Sequence, residues 1–171
     1  KMHRLLSELL DLSRVGRGTN EKKDISFNLI VAEALRRVEG QIKENQVRVQ
    51  VGSGFPIVHV DAERLVEVVQ NLIENAIKFT GNQKQPDVEI NYYLKDGLPV
   101  FYVHDNGIGI RKEFQDRIFG LFDKLNPDSE GTGIGLALVK RIIEVHGGKI
   151  WVKSQEGAGA TFYFTLGSSK T

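Results

Sequence analysis

The chain has 171 residues, of which 40% are hydrophobic and 26% are charged, and it contains 18 glycines and no cysteine. A chain of this length can bury the core of one ordinary domain, and the lack of cysteine excludes a disulfide scaffold, a thiolate zinc site and a cysteine nucleophile. Its 23 basic and 22 acidic residues give a formal net charge of +1, so charge does not favour nucleic acid as a partner. No apolar stretch approaches the ~20 residues that a membrane-spanning helix needs, and the sequence predicts a soluble, cytoplasmic segment.

The first 15 or so residues are predicted to form a helix with an apolar stripe. Met2, Leu5, Leu9 and Leu12 recur at spacings of three, four and three residues, the pattern of a coiled-coil seam. A helix of two heptads is marginal on its own in water. Two interpretations follow: the helix packs on the following domain, or it is the end of a longer helical module that begins before residue 1.

The rest of the chain alternates helices and strands, which predicts a two-layer α/β sandwich: a mixed sheet covered on one face by helices. Asp96-Gly97 is a hairpin turn signal between two of the strands. The predicted helices are 29–44 with its N-cap at Asn28, a long helix capped by Asp61 and running to Phe79, 112–118 and 134–145. The predicted strands are 25–28, 47–51, 57–60, 88–92, 100–103, 150–152 and 161–166.

The long helix carries polar residues along the edge of its apolar stripe. At 100° per residue, Asn71, Asn75 and Lys78 fall within about 60° of one another. One interpretation is a row of amide oxygens for a hard cation with an ammonium group for phosphate. The other is two solvated asparagines at a helix edge.

The run Asp105-Asn106-Gly107-Ile108-Gly109 follows the strand at 100–103. Asn-Gly favours a hairpin bend, but the next residues lead towards a helix. Two glycines around an isoleucine would let a flat apolar ligand approach the backbone, and a carboxylate at a strand end could accept a hydrogen bond from an exocyclic amine.

A glycine-rich run at 131–136 stands directly before the helix at 134–145. Such a loop presents backbone N–H groups and the positive end of the helix dipole, so phosphate is the expected ligand. The run is neither a Walker A loop nor a dinucleotide fingerprint. The polar segment before it, bracketed by Gly120 and Gly131, is either a lid over a ligand or an ordinary surface loop. His146 is expected to end the helix rather than to bind a ligand.

The order of these features resembles a known family. Residues 24–166 are similar to the ATP-binding catalytic domain of sensor histidine kinases, within the larger group that includes gyrase B, Hsp90 and MutL. The matches are 71–79 for the N box, 105–109 for the G1 box, Phe119 and Phe122 for the F box and 131–136 for the G2 box. Residues 1–16 resemble the end of the second helix of the dimerisation and phosphoacceptor domain. The expected division is therefore 1–18 for the end of that helix and 19–171 for the ATP-binding domain.

The resemblance implies a Bergerat-type fold that binds ATP and Mg²⁺. Asp105 would bind the adenine amine, with Thr161 assisting from the last hairpin. Asn75 would be the magnesium ligand through its amide oxygen, with Asn71 beside it.

Further residues are implied around the phosphates and in catalysis. Lys78 and the lid residue Lys124 would meet phosphate and, with Asn71, make up the catalytic set. The whole implied nucleotide pocket comprises Asn71, Asn75, Lys78, Phe79, Asp105, Gly107, Ile108, Gly109, Phe122, Lys124, Gly131, Thr132, Gly133, Ile134, Gly135, Leu136 and Thr161.

The implied reaction is transfer of the γ-phosphoryl group of ATP to a histidine, followed by relay to the receiver domain of a response regulator. ATP-hydrolysing members of the group carry a glutamate where this chain has Asn71, and a neutral amide is a poor general base, so slow ATPase activity is expected. None of the four histidines lies in the family's acceptor motif, a histidine followed by Glu-Leu-Arg. The acceptor is thus expected upstream, on a dimerisation domain that makes the full-length protein a homodimer, while this fragment could be monomeric. Two alternatives stay open: a nucleotide-binding regulatory module of a degenerate kinase, and an anti-sigma-type serine kinase of the same fold.

Overall fold

The computed structural model describes residues 2–17, 20–121 and 133–167. Helices and strands alternate along these ranges in the predicted manner. The helices are α1 (Met2–Arg14), α2 (Phe27–Arg37), α3 (Glu39–Glu44), α4 (Ala62–Lys78) and α5 (Gly135–Val145), with a 3₁₀ turn at Lys112–Phe114. The strands are β1 (Lys23–Ser26), β2 (Arg48–Val51), β3 (Ile57–Val60), β4 (Asp87–Lys95), β5 (Leu98–Asp105), β6 (Ile150–Ser154) and β7 (Ala160–Phe164).

A mixed five-stranded sheet forms one layer, in the order β2-β4-β5-β7-β6. β2 and β4 are parallel, and the other neighbours are antiparallel. Alternate side chains such as Ile90, Phe101 and Phe164 are buried in the core with those of α2, α4 and α5, so the helices cover this face. The predicted two-layer α/β sandwich with a mixed sheet is confirmed.

The long helix α4 forms where the sequence predicts it. Its N-cap is Asp61, whose Oδ1 accepts a hydrogen bond from the Arg64 N–H at 3.3 Å, and Phe79 is its C-cap. Leu65, Leu72 and the other apolar residues of its stripe are buried in the core. The polar edge of α4 is therefore left at the border of the core.

Three local predictions were wrong. The predicted helix 29–44 is two helices, because the fully buried Val38 leaves helical geometry at φ −107° and ψ 10°. Its N-cap is Ser26 rather than Asn28. The helix predicted at 112–118 is reduced to the 3₁₀ turn at Lys112–Phe114. At Val38, burial of one apolar side chain overrides the local helix pattern.

β1 and β3 form a separate antiparallel pair, from Lys23 opposite Val60 to Ser26 opposite Ile57. The sequence indicates both strands but carries no signal for their pairing. The pair leads directly into α2 and α4, and so sets where both helices begin.

α1 packs against the rest of the domain. Leu12 contacts the core, and Val15, just beyond the helix, is 5% exposed. A Cβ on Gly16 would lie 3.3 Å from the Val145 Cγ2, so the chain passes close to the end of α5. Packing of α1 on the following domain is thus confirmed, while its being the end of a longer helical module stays a prediction. Leu6 and Leu10, on the opposite side, are exposed.

Within the described ranges, no helix is both long enough and apolar enough to cross a membrane.

Candidate functional site

The middle of α4 meets the first residue of α5. A Cβ on Gly135 would lie 3.1 Å from the Asn71 Oδ1, so only glycine leaves this approach uncrowded. The Asn71 Nδ2 donates a hydrogen bond to the Glu67 carbonyl at 2.9 Å, which directs the amide oxygen away from its own helix backbone. An amide oxygen and the positive end of a helix dipole therefore stand side by side.

The C-terminal turn of α4 carries the next three predicted residues. Asn75 is half-buried one turn beyond Asn71. Lys78 is exposed, and its Nζ lies 5.3 Å from the centroid of the Phe79 ring. The helix thus presents two carboxamides and an ammonium group along one edge, as the spacing predicts.

Asp105 ends β5 with its carboxylate in the interior. The residue is 7% exposed, and its Oδ1 accepts the Gly107 N–H at 2.9 Å. Burial raises the pKa of Asp105, and the N–H groups of Gly107 and Ala160 oppose that rise. The result is a fixed, poorly solvated acceptor at the end of the central strand.

The glycines of this turn are needed for contact with the protein's own backbone. A Cβ on Gly107 would lie 2.1 Å from the Phe79 carbonyl oxygen, and one on Gly109 would lie 2.1 Å from the Gln155 carbonyl oxygen. Gly109 also has a φ of +74°, in the left-handed region. These close contacts are with α4 and the β6–β7 turn, which is a different reason for the glycines from the ligand approach expected from the sequence.

Ile108 holds this turn in place by main-chain hydrogen bonds on two sides. Its N–H donates to the Phe79 carbonyl at 3.0 Å, and its carbonyl accepts from the Gly157 N–H at 2.7 Å. Its side chain is 47% exposed and lies over Gly81, where a Cβ would come within 2.4 Å of the Ile108 Cγ2. An exposed apolar side chain is thus held beside Asp105 and the end of α4.

The structure does not bring Thr161 together with Asp105. In the β5–β7 register, Asp105 lies opposite Ala160, and Thr161 lies opposite His104. Successive strand residues point to opposite faces, and the Thr161 Oγ1 is 2.7 Å from the His104 Nδ1. The residue of the last hairpin that borders Asp105 is therefore Ala160, which has no hydroxyl group.

Several predicted residues lie outside the described ranges: Phe122, Lys124, Gly131 and Thr132. Of the remaining glycine-rich run, Gly133 has a φ of +77°, Ile134 is fully buried and Leu136 packs against the core. The F-box residue Phe119 meets the ring of Phe162 edge-on at 6.2 Å. The burial of Ile134 and the packing of Leu136 anchor the described start of α5.

A cavity of about 280 Å³ lies between α1, α4 and the start of α5, beside Asn71. The carboxylates of Glu8, Asp11 and Glu67 line it, and burial raises the pKa of Glu67, with Arg64 opposing that rise. Its acidic lining does not suit a bare polyphosphate, and Asp105 is not part of it. The cavity does include Asn71 and Gly135, so it borders the contact between α4 and the start of α5.

Asn106 is a site residue that sequence reasoning missed. Its Oδ1 accepts the Asp87 N–H at 2.9 Å, and its Nδ2 donates to the Gln85 carbonyl at 3.0 Å. These bonds tie the residue after Asp105 to the start of β4. The sequence offered only an Asn-Gly turn signal, which does not distinguish a turn former from a brace between strands.

The chain matches a known protein family and is similar to a named relative. Residues 60–170 match the family described as histidine kinase-, DNA gyrase B-, and HSP90-like ATPase. The chain is similar to the methanogenesis regulatory histidine kinase FilI of Methanothrix harundinacea, with 46% identity over 166 residues, covering 97% of this chain and 19% of that protein.

Solved structures share the fold. Full-length ShkA in complex with AMPPNP superposes with a TM-score of 0.81 and 25% identity, over 97% of this chain and 36% of that one. The catalytic domain of histidine kinase ThkA gives a TM-score of 0.73 and 28% identity, over 85% of this chain and 95% of that one. The chain thus spans about a fifth of the curated relative named above and is similar to nearly all of a catalytic domain.

Proposed function

This chain belongs to the histidine kinase-, DNA gyrase B- and HSP90-like ATPase family, as an ATP-binding catalytic domain of sensor histidine kinases, and we propose that it positions Mg²⁺-ATP for phosphoryl transfer to a histidine. The observation that carries the proposal is the approach of Asn71 on α4 to the N-terminus of α5 at Gly135. That approach brings an amide oxygen beside the positive end of a helix dipole, and this pairing supports a site for Mg²⁺ and phosphate.

Adenine binding is assigned to Asp105. Its buried carboxylate is held by the Gly107 N–H and can accept a hydrogen bond from the exocyclic amine of adenine. Ile108, exposed beside it, offers an apolar surface to the base. Phe79, at the end of α4, and the turn glycines Gly107 and Gly109 would shape this part of the site.

Magnesium is assigned to amide oxygens rather than to a carboxylate cluster. In the part of the chain that the structure describes, no group of three or more histidine, aspartate or glutamate residues could hold a metal ion. The carboxamides of Asn75 and Asn71 fit a hard cation that takes its other ligands from phosphate and water. Bound Mg²⁺ would neutralise charge on the β- and γ-phosphates during transfer.

The polyphosphate is assigned to the start of α5 and to lysines. Gly133 and Ile134 lead into α5, which begins at Gly135, and the free N–H groups of a helix N-terminus are the positive end of its dipole and favour phosphate. Lys78 at the end of α4 and Lys124, which lies outside the described residues, would add ammonium groups.

The transfer breaks the bond between the γ-phosphorus and its bridging oxygen and forms a phosphorus–nitrogen bond on the acceptor imidazole, with ADP as the leaving group. The residues named above contribute orientation and charge stabilisation. Asn71 is a poor base for water, which favours a protein acceptor over hydrolysis.

The partners follow from this proposal. They are a histidine-bearing dimerisation domain, a second copy of the full-length protein, and the receiver domain of a response regulator that takes the phosphoryl group onward. The domain would work in the cytoplasm, where ATP is available.

The test supplies a histidine-bearing dimerisation domain together with ATP labelled in the γ-phosphate. We expect label on the acceptor histidine that is stable in base and labile in acid, and much less label at the same limiting ATP concentration when the chain carries Asp105→Ala.

Two results would contradict the proposal. Acid-stable label on serine would indicate a serine kinase of this fold. Absence of label, in samples where the chain binds ATP and a matched kinase labels the same acceptor, would indicate a regulatory module. The similarity to named histidine kinases does not favour either alternative.

A further inference from the structure

His146 lies at the far end of the α4–α5 pair from the proposed phosphate site. It is the C-cap of α5 and is 8% exposed. Its Nε2 accepts a hydrogen bond from the Asp61 N–H at 3.1 Å, and its Nδ1 is 2.8 Å from the Ile142 carbonyl oxygen. The imidazole ring therefore joins the C-terminus of α5 to the N-cap of α4.

These partners fix the charge state of the ring. The Asp61 main-chain nitrogen can only donate, so Nε2 must offer a lone pair. The Ile142 carbonyl can only accept, so Nδ1 carries the proton. The bridge thus requires neutral imidazole, because a proton on Nε2 would point one N–H group at another.

The main chain of His146 also contacts the segment that follows β7. Its main-chain carbonyl accepts the Gly167 N–H at 2.8 Å, just beyond β7. A Cβ on Gly148 would lie 1.8 Å from the Thr165 carbonyl oxygen, so the chain after His146 runs directly against the end of β7. The main chain that carries the ring is therefore held against the end of β7.

The two helices are antiparallel and touch at both ends. Asp61 contacts His146 at one end, and Asn71 approaches Gly135 at the other. Asn71 lies ten residues after Asp61, about 15 Å along the helix axis. A shift of α5 along α4 at the His146 end would be transmitted along the helix to Gly135, because close-packed interiors have low compressibility and transmit strain.

We propose that His146 is a positioning residue: its neutral ring fixes the axial position of α5 on α4, and so places the N-terminus of α5 for polyphosphate binding, and protonation of the ring releases this linkage. The inference rests on the proposed nucleotide function of Gly135 and Asn71.

The surroundings favour the neutral ring. Burial lowers the pKa of His146, and the ammonium group of Lys22, next to β1, lowers it further. The Ile142 carbonyl on α5 and the Asp61 carboxylate at the start of α4 oppose this. Because the folded-state pKa lies below the ordinary value of about 6.5, the linkage is complete above that pH and is lost as the pH falls through the folded-state pKa.

The test compares the wild type with His146→Gln and His146→Asn. A glutamine amide oxygen can reach the Nε2 position and accept from Asp61, but it cannot be protonated. An asparagine amide can donate at the Nδ1 position but does not reach Asp61. Binding of AMPPNP with Mg²⁺ is titrated for the folded proteins at pH 7.5 and pH 5.5, and affinities are expressed as ratios at each pH, which cancels the titration of the ligand itself.

At pH 7.5 we expect His146→Gln to bind within about 3-fold of the wild type and His146→Asn to bind about 10-fold more weakly. As the pH falls from 7.5 towards 5.5 and through the folded-state pKa of His146, the wild type should lose affinity relative to His146→Gln. A purely structural role would lower the melting temperature of the variants without changing these ratios.

Equal binding by all three proteins at both pH values would overturn the inference and leave the proposed function intact. Absence of AMPPNP binding by the folded wild type would instead overturn the proposed function, and the inference with it. If His146→Asn fails to fold, the ratio of wild type to His146→Gln at the two pH values decides the matter.

Discussion

Asn71 and Asp105 are each held by a main-chain group nearby in the sequence, Asn71 by the Glu67 carbonyl and Asp105 by the Gly107 N–H. Each side chain thereby keeps one oxygen in a fixed direction before any ligand binds. Such preorganisation reduces the entropy that binding must overcome. The proposed chemistry therefore depends on the amide group of Asn71 and the carboxylate of Asp105 individually.

The neutral amide of Asn71 is the group that should keep ATP hydrolysis slow. Replacing it by glutamate, Asn71→Glu, supplies a general base beside the proposed phosphate position. We expect the steady-state rate of ATP hydrolysis to rise by about tenfold or more, since a positioned base typically contributes 10²–10⁴-fold.

The matched control is Asn71→Gln, which has the length of glutamate without its basicity. It should hydrolyse ATP no faster than the wild type. An Asn71→Glu protein that binds ATP but hydrolyses it no faster would argue against the assigned role of Asn71.

At the scale of elements, the site depends on how closely the turn after β5 approaches the end of α4. The Phe79 carbonyl accepts from the Ile108 N–H, and Gly107 leaves room for that oxygen. Asn106 holds the same turn to the start of β4. The position of Asp105 relative to Asn75 is thus set by three elements meeting at one turn.

Gly107→Ala tests this contact, because its Cβ would lie 2.1 Å from the Phe79 carbonyl oxygen. A main-chain atom cannot swing aside, so the turn and α4 must separate. We expect AMPPNP affinity to fall about tenfold or more and the melting temperature to fall with it.

The control is Gly40→Ala in α3, where a Cβ would meet nothing within 4 Å. Alanine is a better helix former than glycine, so this variant should melt no lower than the wild type and bind normally. Wild-type affinity in Gly107→Ala would show that the turn need not touch α4.

Docking of α1 is a second prediction at this scale. Val15 is 5% exposed and Leu6 is 58% exposed, so they report on the two sides of this segment. Val15→Ala should lower the free energy of unfolding by about 1–2 kcal/mol, whereas Leu6→Ala should change it by less than about 0.5 kcal/mol, as measured by denaturant unfolding. Equal values for the two variants would indicate that α1 does not pack on the domain in solution.

For the whole molecule, much of the fold could be predicted because its signals are local. Asp61 followed by an apolar stripe predicts α4, and Asp96-Gly97 predicts the β4–β5 hairpin, where both residues take a positive φ. The approach of Asn71 to Gly135 was expected only from resemblance, since the two residues are distant in sequence. Periodicity alone does not give contacts between helices.

The failures have a common physical cause: they depend on tertiary contacts. Val38 breaks a helix that its sequence favours, because its side chain is needed in the core. Thr161 was expected to assist Asp105, but strand register puts Ala160 opposite Asp105 and Thr161 opposite His104, because a shift of one residue exchanges the faces of a sheet. A role for Thr161 at adenine stays a prediction. The partners of the His146 ring come from α4 and α5 together, and its sequence context indicates only a helix end.

The central claim is that the described residues form an ATP site that uses Mg²⁺, and calorimetric titration with AMPPNP tests it most directly. The folded wild type should bind one AMPPNP, more weakly when EDTA removes Mg²⁺, and Asp105→Ala should bind about 10- to 100-fold more weakly because the adenine amine loses its charged partner. Absence of saturable binding by the folded wild type would contradict the claim, and equal affinity in Asp105→Ala would contradict the position assigned to adenine.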